Sequence, residues 1–481
     1  MYQFGDGKMK RIVLGGVILV LMIAVIMLLI IQSDGKPGTP PEGQDSRIYK
    51  SLLVSLTDPP DGLLAAKGDG SNETAVIQAI FDYAVEHQQI VFIPPNHTFT
   101  VDGLLIAGKR DFTILGYGTL KLRDKAAGPI LKLTECHGFQ ISRLHTDGNI
   151  QANAGPDGKF NQDLHSLAIT QSYNFKIGSL HDVNPSGDSL YLTDVANGTI
   201  DSLEARAEEP SGRNALTITK AQYVTVGSII SDQVGYPKMP GGIALEPNHK
   251  DDDIQNILIR QAVIRSGADN GVAITNKTGA VVKDIEINAQ IIKHGRSESS
   301  AFKLNNVENF KGRIRIEQEG ETLCDGASVT GCKNVQAELE IDQAKLGLGI
   351  GQNSSGIRLT GKIFGTKEAG LALWEGVSDS VIDMEIKQTG LDGTSGRVKI
   401  ADRLENVIFK GDYSFDGTGD YCFWIDGIVL NSYAENLNTS GWNHQNLVIG
   451  SGLNKLAFLR TTAQRTDIAA FQSSSGGALK E

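Results

Sequence analysis

Between about Ser166 and Asp426 one pattern keeps returning: a small residue, an apolar one, a variable one, then another apolar one. It reads Ser189-Leu190-Tyr191-Leu192, Ala215-Leu216-Thr217-Ile218, Gly242-Ile243-Ala244-Leu245, Gly271-Val272-Ala273-Ile274 and Ala301-Phe302-Lys303-Leu304. Further copies are Gly326-Ala327-Ser328-Val329, Gly347-Leu348-Gly349-Ile350, Gly370-Leu371-Ala372-Leu373 and Cys422-Phe423-Trp424-Ile425. A second series is interleaved with the first, at Phe175-Lys176-Ile177, Thr199-Ile200-Asp201, Val224-Thr225-Val226, Ile257-Leu258-Ile259 and Val335-Gln336-Ala337. Alternation over so few residues predicts short strands. From Ser189 to Gly370 the small residues stand 21 to 30 positions apart. That is the length of one supersecondary unit, so the pattern predicts a solenoid of stacked coils.

Upstream the periodicity changes. Ile12 through Ile31 is an unbroken apolar or glycine run of 20 residues, long enough to cross a bilayer as one helix. Lys8, Lys10 and Arg11 precede it and Asp34 follows it. The positive-inside bias then predicts a cytoplasmic N-terminus and an extracytoplasmic body, at the cell surface or in the periplasm. An uncleaved anchor is preferred over a signal peptide, because the run is long and Ile30-Ile31-Gln32-Ser33-Asp34 lacks a small-x-small cleavage pattern. The segment around residues 33–47, SDGKPGTPPEGQDSR, reads as a solvated tether. Residues 75–86 carry Val76, Ala79, Ile80, Tyr83 and Ala84 at helical spacing, with Asn72 or Ser71 placed to cap the helix and Glu73 suited to its positive end.

The run Lys67-Gly68-Asp69-Gly70-Ser71-Asn72-Glu73-Thr74, that short helix, and Ile90-Val91-Phe92-Ile93-Pro94-Pro95 after it resemble the opening of the pectate-lyase-like right-handed β-helix proteins, phage tailspikes included. Asp147-Gly148-Asn149 followed by an insertion, Ile150 to Asp163, extends the similarity downstream. One departure is Asn72-Glu73, where such proteins often carry an acidic pair. The resemblance implies an all-β, single-stranded right-handed parallel β-helix whose first coil is capped by the amphipathic helix. The expected organisation is residues 1–11 cytoplasmic, 12–31 transmembrane, 32–47 linker, 48–445 β-helix, and 446–481 a C-terminal cap and tail.

Composition narrows the function. A formal net charge of −11, with no Lys/Arg block beyond the first residues, argues against nucleic acid as a partner. The 4 cysteines, at 136, 324, 332 and 422, are too sparse for a disulfide scaffold and read as buried thiols. No Cys/His metal spacing exists; no cofactor is evident, and a Ca²⁺ held by carboxylates stays open.

Most flanking positions along the coils carry Asn and Thr, which suit ordinary turn stacks; Asp188 and Glu246 are the exceptions. Charge gathers in the connections between residues 180 and 300. Aligning the strands before them puts Asp147, Arg206, Asp232 and Arg265 in nearly one column, with adjacent coils about 4.8 Å apart. Hydrolysis of a glycosidic bond needs two carboxylates, and Asp182, Asp188, Glu204, Glu208, Asp232 and Glu246 supply candidates. Elimination or epimerisation on a uronic acid needs a cation for the substrate carboxylate and a base for the C5 proton. Arg206, Arg213, Lys238 and Arg265 fit the first role; His181, Lys238 and Tyr236 fit the second.

The sequence therefore predicts a membrane-anchored protein acting on polysaccharide through a groove at residues 180 to 300, by hydrolysis or β-elimination. The alternatives are a uronate C5-epimerase and a non-catalytic glycan-binding or export scaffold. The predicted catalytic set is Asp182, Asp188, Asp232 and Glu246; the substrate-binding set is Arg206, Glu208, Arg213, Asn214, Tyr236, Lys238 and Arg265. Asp188→Ala and Glu246→Ala are expected to abolish turnover and leave the fold intact, because both stand just outside the apolar ladders.

Overall fold

The chain winds into a right-handed parallel β-solenoid of about 12 turns. The computed structural model describes residues 52–154, 161–235, 241–266, 270–294, 299–320, 323–391, 396–414, 416–419, 422–425, 427–439, 447–449 and 456–459. The proposed anchor and tether lie outside the described residues. Among those described, no helix is long and apolar enough to cross a membrane.

Each coil is built from one short strand and one long strand, and every strand pairs in parallel with its counterparts in the coils on either side. Gly241–Leu245, for example, pairs with Asn214–Val234 on one side and Val272–Thr275 on the other. The long strands bend. Alternation breaks where two successive residues are half-buried, at Gly178-Ser179 and Gly227-Ser228, after which Leu180 and Ile229 point inward again. Glycine is required at those corners because the backbone carbonyl of the preceding coil, Ser142 O against Gly178 and Asp201 O against Gly227, passes too close for a Cβ. A second corner is built from residues at positive φ, including Asn174, Asn197, Asn256, Asn309 and Asn334. Asparagine tolerates that region, and its amides stack: Asn197 Nδ2 donates to Asn174 Oδ1 at 3.1 Å and Asn334 Nδ2 to Asn309 Oδ1 at 3.2 Å.

The small residue that opens each repeat has a packing cause. Inside the solenoid, strand pairing aligns Thr146, Asp182, Ala205, Ser231, Ile264, Ile291, Ile316, Ile341, Ile363 and Ile386 in one inward column. The small residue faces this column within its own coil. A Cβ on Gly242 would lie 2.8 Å from Ile264 Cδ1, and one on Gly326 2.7 Å from Ile341 Cγ2. The isoleucine occupies the volume that a larger residue would need. In the coils where the column holds Asp182, Ala205 and Ser231, the facing residues are Ser166, Ser189 and Ala215 rather than glycine.

The predicted capping helix spans Thr74–Glu86. Its buried face is Ile77, Ile80, Phe81, Ala84 and Val85, while Ala79 is exposed, so the apolar seam is rotated from the one expected. Glu73 is the cap residue, without a side-chain bond to the helix. Its buried carboxylate instead accepts the backbone amides of Lys67 and, at 3.0 Å, Gly68, which fixes the Gly-Asp-Gly turn. All 4 cysteines are free and buried; burial pushes the Cys332 thiol up to about 11. Parallel strands continue at Leu447–Ile449 and Leu456–Leu459, inside the stretch expected as cap and tail.

Candidate functional site

Strand register settles the charged column. Asp147, Val183, Arg206, Asp232 and Arg265 are successive cross-strand partners, so the aligned charges do stack, with Val183 between the first two. Two residues earlier on the same strands runs a second outward column, His145, His181 and Glu204. Both columns face outward because they alternate with the inward Leu180 and Asp182, Leu203 and Ala205, and Ser231.

These side chains form one constellation. His181 Nδ1 lies 3.1 Å from Glu204 Oε2, and Arg206 Nε donates to the other oxygen of the same carboxylate. The His145 and His181 rings are 5.3 Å apart between centroids, and Lys121 Nζ sits 3.4 Å from Asp147 Oδ2. Burial, together with the neighbouring His181 and Arg143, holds the His145 imidazole below its ordinary pKa. For Glu204, partial burial acts upward, but the Arg206 hydrogen bond and the positive neighbourhood of His181 outweigh it and keep the carboxyl below its usual range. The site thus presents a half-buried imidazole that resists protonation, a second imidazole oriented by a firmly ionised carboxylate, and an arginine.

Asp182 and Asp188 lie elsewhere, and neither faces an outward groove. Asp182 points into the solenoid and is fully buried. Thr146 Oγ1 donates to its Oδ1 at 2.8 Å. The hydroxyls of Ser189 and Ser166 lie close enough to favour the charged form, yet neither they nor Asp182 Oδ2 complete a well-formed hydrogen bond. Burial outweighs these hydroxyls and pushes the carboxyl up to about 7.

Asp188 is a rung in a buried polar ladder. Its Oδ2 meets Arg213 Nη1 at 2.9 Å and lies 3.3 Å from His165 Nδ1, and its Oδ1 accepts Asn214 Nδ2 at 3.0 Å. Asn214 in turn accepts the Gly241 amide at 2.9 Å and donates to Thr217 Oγ1 at 2.8 Å. Burial holds the pKa of His165 down, against the pull of Asp188. Three predicted site residues, Asp188, Arg213 and Asn214, are therefore brought together, but as an interior network. The expectation that Asp188→Ala leaves the fold intact is replaced by one of lost stability, since Arg213 would lose its buried partner. His165 was not among the predicted residues. The signal was available: it immediately precedes Ser166 as Asp188 immediately precedes Ser189.

Glu246 is half-buried and accepts Thr275 Oγ1 at 2.8 Å, in a different column from Asp232. Glu208 is exposed, its amide donating to Asn184 Oδ1 at 3.2 Å, and Arg265 is exposed. Tyr236 and Lys238 lie outside the described residues. The outward positions Thr217, Ala244 and Ala273 of the short strands are themselves buried. Among the described residues, no group of 3 or more His, Cys, Asp or Glu could hold a metal ion.

No family model and no curated protein matches the sequence. Among solved structures, the tailspike of E. coli bacteriophage HK620, as a double mutant, aligns with a TM-score of 0.51 at 12% identity, covering 90% of this chain and 81% of that one. The Streptococcus pneumoniae surface protein and adhesin PfbA gives 0.46 at 13% identity, over 85% and 100% of the two chains. An exopolygalacturonase from Thermotoga maritima gives 0.39 at 13% identity, over 74% and 91%. The architecture shared with the tailspike is a right-handed parallel β-helix. At such identities the likeness is one of fold.

Proposed function

We propose that the chain acts on an acidic polysaccharide, cleaving it by β-elimination at a uronate residue. The observation that carries this reading is the outward His181–Glu204–Arg206 constellation, with Asp232 and Arg265 in register beside Arg206. Glu204 accepts from Nδ1 of His181, which leaves Nε2 as the nitrogen able to take a proton. Arg206 and the exposed Arg265 neutralise the uronate carboxylate, which lowers the cost of charge developing at C5. His181 then takes the C5 proton, the electron pair forms the C4–C5 double bond, and the C4–oxygen bond breaks. The departing sugar oxygen takes its proton from solvent.

Hydrolysis fits less well. Asp182 and Asp188 are buried, Glu246 stands in a different column from Asp232, and Glu204 is kept ionised by Arg206 and His181 and so is not poised to donate a proton to a leaving group. Epimerisation shares the first proton transfer and differs only in reprotonation at C5. The apolar run from Ile12 to Ile31 supports anchoring at a membrane with the solenoid outside it.

The test is to incubate the full-length chain with uronate-rich and neutral glycans. The proposal expects ultraviolet absorbance from an unsaturated uronate, with acidic substrates only. New reducing ends without that absorbance would mean hydrolysis, altered uronate configuration without cleavage would mean epimerisation, and binding without product would mean a glycan-binding module; each overturns it.

A further inference from the structure

The short-strand face changes character along the solenoid. Its outward positions are buried at Thr217, Ala244 and Ala273. In the coils that follow, the same column continues as Lys303, Ser328, Gly349, Ala372, Lys399 and Trp424. Lys303, Ser328, Ala372 and Trp424 are half-buried and Lys399 is exposed, so the face opens to solvent there. These residues alternate with the buried Phe302 and Leu304, Leu348 and Ile350, and Val398 and Ile400, which fixes their outward direction.

One side chain on this face is seated by the sequence around it. A methyl group added at Gly349 or Gly351 would overlap the Trp374 indole, so the ring lies against the backbone of the preceding coil where two glycines leave room for it. One ring face is backed by the sheet. The residue stays half-buried, which makes it a rigid apolar platform at low conformational cost. Beside it, Lys399 Nζ lies 5.6 Å from the centre of the Trp424 ring.

Charge selects what such a platform holds. The chain carries a net charge of −11, and on the long-strand face of the same coils Arg315 pairs with Glu317 at 2.6 Å and Lys387 with Asp412 at 2.9 Å. Lys303 and Lys399 form no ion pair among the described residues. From Lys303 to Trp424 is five coil spacings, about 24 Å at about 4.8 Å each, which suits an extended chain lying along the axis.

We propose that this face, from Lys303 to Trp424, is a second binding surface for an acidic glycan, with Trp374 stacking on a sugar ring and Lys303 and Lys399 meeting its carboxylates. It rests on the reading that the chain works on acidic polysaccharide. It lies apart from the His181 constellation, on the other strand of the coil, and holds the chain rather than cutting it.

The experiment is calorimetric titration of an oligogalacturonate long enough to span the face into the full-length chain carrying His181→Ala, which reads binding without turnover. Trp374→Ala is expected to weaken binding on the order of tenfold, and Trp374→Tyr to restore most of it. Lys303→Gln with Lys399→Gln is expected to flatten the salt dependence. Gly349→Ala, which displaces the indole while keeping it in the chain, is expected to weaken binding as Trp374→Ala does. Equal binding by wild-type and Trp374→Ala surfaces, or equal binding of the carboxyl-reduced, neutral oligosaccharide, overturns the proposal. Absence of unsaturated uronate from the chain with His181 intact, while Trp374-dependent binding persists, would instead strike the proposed reaction.

Discussion

One inward column of the solenoid has two halves. From Ile264 to Ile386 it is isoleucine in every coil, with alanine or glycine opposite at residues 242, 271, 301, 326, 347 and 370. From Thr146 to Ser231 the same position holds Thr, Asp, Ala and Ser. The isoleucine half buries apolar volume and contributes stability alone. The polar half lies directly behind the candidate site, because Asp182 follows His181, Ala205 separates Glu204 from Arg206, and Ser231 precedes Asp232. The coils of His181, Glu204 and Asp232 hold polar or small residues in this column, whereas the coil of Arg265 and the coils beyond it hold isoleucine.

That contrast can be broken from either side. The largest effect is expected in the polar coils. Asp188→Ala leaves Arg213 and Asn214 without their buried acceptor and should cost about 3–5 kcal/mol, read as a lowered denaturation midpoint with unchanged slope. An unfolding free energy equal to wild type would show that the buried Asp188 network contributes nothing to stability.

Asp182 gives the polar half a pH dependence. Its folded pKa of about 7 stands above the ordinary 3.8, so the folded state holds the proton more tightly than the unfolded chain. Stability from this group is complete below about pH 4, falls as pH rises toward 7, and levels off above it. At about 1.4 kcal/mol for each unit of pKa difference, the whole change is up to about 4 kcal/mol. Asp182→Asn should remove that slope, and unfolding measured across the range would show whether it does.

Smaller effects belong to the isoleucine half. Gly271→Ala drives a methyl into Ile291 and should cost about 1–3 kcal/mol. Ile291→Val should cost about 1 kcal/mol with no pH dependence. Thermal unfolding of these variants tests whether a glycine-isoleucine coil behaves as pure packing.

Much of this architecture is legible in the sequence, because a parallel solenoid writes its register as a repeat. The spacing of Asp147, Arg206, Asp232 and Arg265 put them in one column, and strand pairing places them there. The direction of individual carboxylates was harder to read. Beyond the corner at Gly178-Ser179 the alternation restarts, so the phase of the preceding strand does not say which way Asp182 points. Aligning Leu180 with Leu203 would have paired Asp182 with Ala205, a buried position. The burial of Asp188 depends on how His165, Arg213 and Asn214 meet across three coils, and periodicity carries no such information. The joining of His181, Glu204 and Arg206 depends on side-chain reach across coils, so the sequence could propose each residue without showing that they share one carboxylate.

The central claim is that the chemistry sits on the outward His181 face rather than on the buried aspartates. The most direct measurement compares initial rates of unsaturated-uronate formation for His181→Ala and Asp182→Asn, both confirmed folded, at neutral pH. The account predicts a loss of about a hundredfold or more for His181→Ala and a rate within a few-fold of wild type for Asp182→Asn. An inactive Asp182→Asn beside a fully active His181→Ala would contradict it.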